Sequence, residues 1–101
     1  MYTQADKEKL QDNAANAEAM LKLLANKHRL MVLCSLVESE KSVAELEIQS
    51  GLSQSALSQH LAKLRHAGVI SMRKEARSVY YKLRSVEVNA ILTTLYLIYC
   101  N

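Results

Sequence analysis

Residues 42–70 read SVAELEIQSGLSQSALSQHLAKLRHAGVI, and they decide the fold. Ser42 and Glu45 have capping-box spacing. The hydroxyl accepts from a backbone N–H three residues on, and the carboxylate reaches back to the first. Val43 and Leu46, with Ile48 beside them, supply an apolar face. Gly51 suits the left-handed exit from such a helix. After Leu52, Ser53 caps a second helix, in which Ala56, Leu57, Leu61 and Leu64 form the buried stripe. Gly68 stops it. Helix, short turn with glycine, helix is the helix-turn-helix pattern.

Downstream, VISMRK and SVYYKL are two β-rich runs around the connection EAR. Ile70 and Met72 alternate with polar neighbours, as do Val79, Tyr81 and Leu83. This is a hairpin with a basic tip made of Arg73, Lys74 and Arg77. A hairpin behind a helix-turn-helix is a wing. Upstream, residues 6–25 predict one helix, with Leu10, Ala14, Ala17, Leu21 and Leu24 at helical spacing. HRLMVLCSLVE, residues 28–38, predicts a central helix, apolar on most of its surface. The expected fold class is mainly α: a winged helix-turn-helix of four helices, two strands and a last helix, in one domain over residues 1–101.

The last helix, from about Val86 to Cys100, is unusual. Ala90, Ile91, Leu92, Leu95, Tyr96, Leu97, Ile98 and Tyr99 cover nearly its whole circumference. A helix apolar all round must be buried on all sides, and so small a domain covers one side at most. The expected resolution is a homodimer in which the N- and C-terminal helices form the interface. The alternative is a monomer whose long first helix folds over the last.

Composition narrows the function. The hydrophobic share of 50% is that of a globular chain, not a disordered one. No run approaches the ~20 apolar residues of a membrane span, and the polar N-terminus, MYTQADKEKLQDN, is no signal peptide. A soluble cytoplasmic protein with no membrane partner is expected, its two cysteines reduced at rest. Residues 1–50 hold six Lys/Arg against eight Asp/Glu; residues 51–101 hold seven against two. All seven lie between Lys63 and Arg84 with only Glu75 among them. Such a basic segment is either a footprint for a polyanion such as nucleic acid or an ordinary charged surface. An enzyme is not expected: there is no Ser-His-Asp set, no Cys-x-x-Cys and no Gly-rich phosphate loop.

The solvent face of residues 54–66 favours nucleic acid. Outside the buried stripe stand Gln54, Ser55, Ser58, Gln59, His60 and Lys63. Gln pairs bidentately with adenine, Ser bonds base or phosphate, and Lys neutralises phosphate. The front of a recognition helix enters the major groove of double-stranded operator DNA. Arg73, Lys74 and Arg77 would reach backbone or minor groove, positioning rather than reading. His60 is weaker: it touches DNA or only packs against the turn. His66, at a helix C-terminus, is explained by the helix dipole alone. A winged helix used only for protein–protein contact is the rival.

These residues are familiar. MLKLLANKHRLMVLCSL, residues 20–36, then residues 42–70, then RKEARSVYYKL, resemble the ArsR family of bacterial winged-helix repressors. The likeness runs from about Ala14 to Cys100, and is greatest to the branch containing BigR, SqrR and HlyU, regulators that sense reactive sulfur species or oxidants through a dithiol. That branch carries one cysteine in the second helix and one near the end of the last; the matching positions are Cys34 and Cys100. The resemblance implies that these thiols face each other within one subunit, are bridged by disulfide or polysulfide, and thereby release DNA. No cofactor is implied. Cys34 alone would read as a small buried hydrophobe. The sign of control stays open: a protein on DNA when reduced represses directly, the expected case, or activates by displacing another repressor.

Metal sensing within the family is the other alternative. The thiolate site needs a Cys-x-Cys-type pair at the third helix, where this chain has EKSVAEL; the second site needs Asp, His and Glu on the last helices, where it has Glu87 and no His. Two Cys and three scattered His do not make a soft three- or four-ligand cluster, so no metal ligand is expected.

Overall fold

A computed structural model of the chain describes residues 2–100. They form six helices, α1 (Gln4–Asp12), α2 (Ala14–Leu24), α3 (Lys27–Glu38), α4 (Val43–Ser50), α5 (Gln54–His66) and α6 (Val86–Tyr99). Three strands, β1 (Lys41–Ser42), β2 (Ile70–Glu75) and β3 (Ser78–Leu83), make an antiparallel sheet of order β1-β3-β2. This is the winged helix-turn-helix, with α4 and α5 as the two helices and β2–β3 as the wing.

The core gathers where the apolar stripes meet. Val32, Leu33 and Leu36 of α3, Leu46 of α4, Leu57, Leu61 and Leu64 of α5, Ile70 and Tyr81 of the wing, and Val88 and Leu92 of α6 are buried together. Each fully buried leucine contributes about 1.5–3 kcal/mol of transfer free energy, so the three on α5 fix which face of that helix is left to solvent. The capping box of Ser42 and Glu45 is present, with Glu45 N donating to Ser42 Oγ at 3.1 Å and Ser42 N to Glu45 Oε1 at 3.0 Å. Gly51 leaves α4 in the left-handed region at φ 67°.

Three local expectations change. The single N-terminal helix is two, broken at Asn13. Its side chain donates to Lys9 O at 2.9 Å and its backbone sits at φ −104°, ψ 8°, the local competition that makes Asn a helix interrupter. Ile48 is not on the apolar face of α4 but 83% exposed. Two residues beyond Leu46 is more than half a turn of helix, so both cannot face the core. Finally, β1 was not legible. Lys41 and Ser42 pair with Tyr81 and Tyr80, and Lys41 is buried with its Nζ donating to Ser39 Oγ at 2.6 Å.

The first helix does not fold over the last. None of the residues of α1 is buried, and α2 packs on α3. Between α2 and the start of α6 lies an open groove of about 570 Å³, lined by Met20, Leu23, Val86 and Val88 among others. In the single chain, Leu10 and Leu21 on one side and Tyr96, Leu97, Ile98 and Tyr99 on the other stay exposed. The last helix thus buries one side, Val88 and Leu92, and leaves the other open.

Candidate nucleic-acid interface and the two thiols

The turn into α5 is held by short polar contacts. Leu52 N donates to Ser50 Oγ at 3.2 Å, and Ala56 N donates to the Ser53 cap at 3.2 Å. With Leu57, Leu61 and Leu64 anchored, Gln54, Ser55, Ser58 and Gln59 are exposed on the first turns and Lys63 on the last. Gln54, Ser55, Ser58 and Gln59 therefore share the free end of one helix, as a groove-reading surface requires.

His60 is half-buried and leans on α3, its ring 6.1 Å from that of His28. Burial holds the imidazole below its ordinary pKa, helped by the charges of Arg29, His28 and Lys63. His66 is exposed at the end of α5.

The wing turns in two residues, because Glu75 pairs with Ser78 across Ala76-Arg77. Ala76 carries φ 55°, the positive angle that such a turn needs at its first central residue and that glycine usually supplies. Lys74 and Arg77 are exposed. Arg73 is differently placed. Pairing puts it opposite Tyr80, whereas Lys74 faces Val79, so successive residues of β2 point to opposite faces. Arg73 donates to Glu40 through Nε and Nη2, at 2.9 and 2.7 Å to the nearer oxygens, and to Glu75 through Nη1 at 2.6 Å. Its guanidinium also lies 4.4 Å from the centre of the Tyr80 ring. These hydrogen bonds hold the Glu40 carboxyl below the usual carboxylate range and raise the Arg73 guanidinium. Glu40 was not foreseen, being 33 residues away in sequence with no local signal of the pairing. The three wing cations are therefore not placed alike: among the described residues Lys74 and Arg77 make no ion pair, whereas Arg73 is held by Glu40, just before β1, and by Glu75 at the end of β2.

The thiols lie on α3 and just past the last turn of α6, two helices that pack on each other. Cys34 is exposed, not the buried hydrophobe that its sequence neighbours Leu33 and Leu36 imply. It sits one position past Leu33, about 100° around the helix, which turns it off the core face. Cys100 is exposed as well. The two are unbridged and not close, yet a charge on Cys100 acts on Cys34. Desolvation first, and that charge second, raise the Cys34 thiol above its ordinary pKa. Among the described residues no group of three or more His, Cys, Asp or Glu is arranged to hold a metal.

Comparison with known proteins places this architecture. The model of the bacterial regulatory protein arsR family matches residues 26–72, which span α3 to the first wing strand. The transcriptional activator HlyU of Vibrio cholerae is 48% identical over 93 residues, covering 92% of this chain and 86% of that protein. This chain belongs to the ArsR family. The biofilm growth-associated repressor of Xylella fastidiosa is 40% identical over 98 residues, 97% of this chain and 83% of its own length. The solved structure of reduced HlyU from V. cholerae superposes with a TM-score of 0.87 at 48% identity, covering 93% of this chain and 99% of that one. As a member of the HlyU/BigR branch of this family, the protein is a DNA-binding transcriptional regulator and not an enzyme.

Proposed function

We propose that the protein is a homodimeric, cytoplasmic repressor that leaves its operator when Cys34 and Cys100 are joined by a disulfide or polysulfide. Reactive sulfur species or oxidants are the inducers. The observation that carries this is the placement of the two thiols. Both are open to solvent, and they sit on the helix that anchors the DNA-binding core and on the helix with the uncovered apolar side. In the dimer, Tyr96, Leu97, Ile98 and Tyr99 meet their symmetry mates, and Leu10 and Leu21 extend that interface. Two copies of α5 then stand about 34 Å apart and enter successive major grooves. Gln54, Ser55, Ser58 and Gln59 contact bases there, and Lys63, Lys74 and Arg77 contact phosphates.

The chemistry balances without a cofactor. One thiolate takes a sulfane sulfur from a persulfide, releasing the donor as its thiol. The other thiolate attacks the sulfur bonded to the protein and expels hydrosulfide, closing a disulfide. Where both thiols carry a sulfane sulfur, attack of one persulfide on the protein-bonded sulfur of the other expels hydrosulfide and leaves a polysulfide bridge. With peroxide, a sulfenic acid forms first and water leaves on closure. A disulfide needs Cα atoms roughly 4.4–6.8 Å apart, so closure draws the end of α6 and α3 together; a longer polysulfide requires less movement. Burial, and a charge on Cys100, raise the Cys34 thiol and so reduce its share of thiolate, the reactive form. Tying α6 to α3 shifts the recognition helices off the groove spacing.

The test is a gel-shift series on wild type, Cys34→Ser and Cys100→Ser, before and after a persulfide donor, peroxide and thiol-binding metals. Wild type is expected to lose DNA with donor or peroxide, and both variants to keep it. Variants that release DNA as readily as wild type refute the dithiol mechanism. Release by metals alone favours the metal-sensing alternative.

A further inference from the structure

We propose that His28, Arg29, His60 and Lys63 form a second phosphate-holding site, on the flank of α5 opposite the wing, that takes the DNA strand across the groove from the one the wing contacts. This rests on the DNA-binding reading above and adds residues of α3 to it.

The two flanks of α5 are marked by its neighbours. Arg65 Nη1 donates to Met72 Sδ at 3.2 Å, which identifies the wing side. His60 lies against His28 of α3, which identifies the other. At about 100° per residue, Arg65 and His60 fall on either side of the stripe that carries Ser55, Gln59 and Ala62. A helix is about 10–12 Å across and the major groove about 12 Å wide. A helix seated there turns one flank to each phosphate backbone.

The flank beside α3 carries two cations, Arg29 and Lys63, next to two imidazoles, His28 and His60. Arg29 and His28 of α3 and Lys63 of its own helix are the charged and titratable groups near enough to act on His60, and the His28 ring lies 6.1 Å from its own. Among the described residues, none of the four is in an ion pair. Arg29 Nε is enclosed and donates to no protein acceptor, so an external anion would be met by the Nη atoms of this guanidinium. The backbone is not the binding element, because Asn26 Oδ1 already accepts from the amides of His28 and Arg29 at 3.0 and 3.1 Å. Like charges gathered without a counter-charge repel. The anion that a seated recognition helix meets on this flank is a phosphate.

Phosphate favours the protonated form of an imidazole. The free protein holds His60 low, so binding takes up a proton, and affinity rises as pH falls.

The experiment is fluorescence anisotropy with a labelled duplex selected by the wild-type protein from a random-sequence library, titrated against salt and pH. Lys63→Ala is expected to flatten the slope of log affinity against log salt by about 0.9, one phosphate contact. Wild-type affinity should rise about three- to sixfold from pH ~8 to pH ~6, as when phosphate raises one imidazole by about one pKa unit. His28→Ala with His60→Gln should remove that rise. If His60→Gln unfolds the protein, Lys63→Ala and the exposed His28→Ala carry the test alone. An unchanged salt slope and an unchanged pH response in the variants overturn the site while DNA binding stands. A wild type that selects no duplex overturns the DNA reading itself.

Discussion

Ala76 holds a backbone angle that glycine is made for. Its φ of 55° costs an L-residue about 1–2 kcal/mol, and nothing else about the turn requires a methyl group. Ala76→Gly is therefore expected to stabilise the protein by about 1 kcal/mol, less the extra freedom glycine gives the unfolded chain. Thermal denaturation at fixed protein concentration checks it: the midpoint should rise by a few degrees, and a fall would show the turn to be unstrained. Arg73 is the second residue whose surroundings set its role. Bound to Glu40 and Glu75, it fixes the wing against the start of the sheet, while Lys74 and Arg77 face solvent. Lys74→Ala and Arg77→Ala should each flatten the salt slope of DNA binding by about 0.9, and Arg73→Ala should leave it unchanged. Glu40→Gln should steepen it by releasing Arg73 toward phosphate. Equal slopes for all three basic substitutions would return Arg73 to the DNA contacts.

At the scale of elements, caps hold the reading helices in place. Ser42→Ala removes the box that starts α4, and a loss of about 1 kcal/mol by urea denaturation is expected. The Glu45 carboxyl is depressed by its hydrogen bonds with Ser42. A lowered carboxyl stabilises the fold above its unfolded pKa and loses that contribution as pH falls through its folded value. Ser42→Ala should accordingly weaken the acid dependence of stability below the usual carboxylate range. Most of this level was legible in the sequence, because capping spacing, Gly51 and the leucine stripes are local signals that all agree with the fold. What was not legible has a physical reason in each case. Two residues of β1 carry no periodicity, and they become a strand only because β3 offers them an edge. The break at Asn13 depends on one side chain competing with the backbone of its own helix. Glu40 with Arg73, and His28 with His60, meet only after the chain has folded. The exposure of Cys34 follows from a rotation of α3 that apolar neighbours on both sides conceal.

For the whole molecule, the uncovered side of α6 and the open groove beside α2 make the single chain an incomplete structure. Leu97→Glu combined with Ile98→Glu should convert the dimer to a monomer by light scattering, with operator affinity falling because two half-sites are no longer held together. A dimer that survives both charges would place the interface elsewhere. The central claim is that a bridge between α3 and α6 and the loss of DNA are one event. Its most direct measurement follows both in the same samples during titration with a persulfide donor. Non-reducing peptide mass analysis gives the fraction of subunits with Cys34 joined to Cys100, and anisotropy gives the fraction of DNA released. The account predicts that release rises with bridging and reverses on reduction. Release from subunits that carry no bridge, or bridged subunits that stay on DNA, would contradict it.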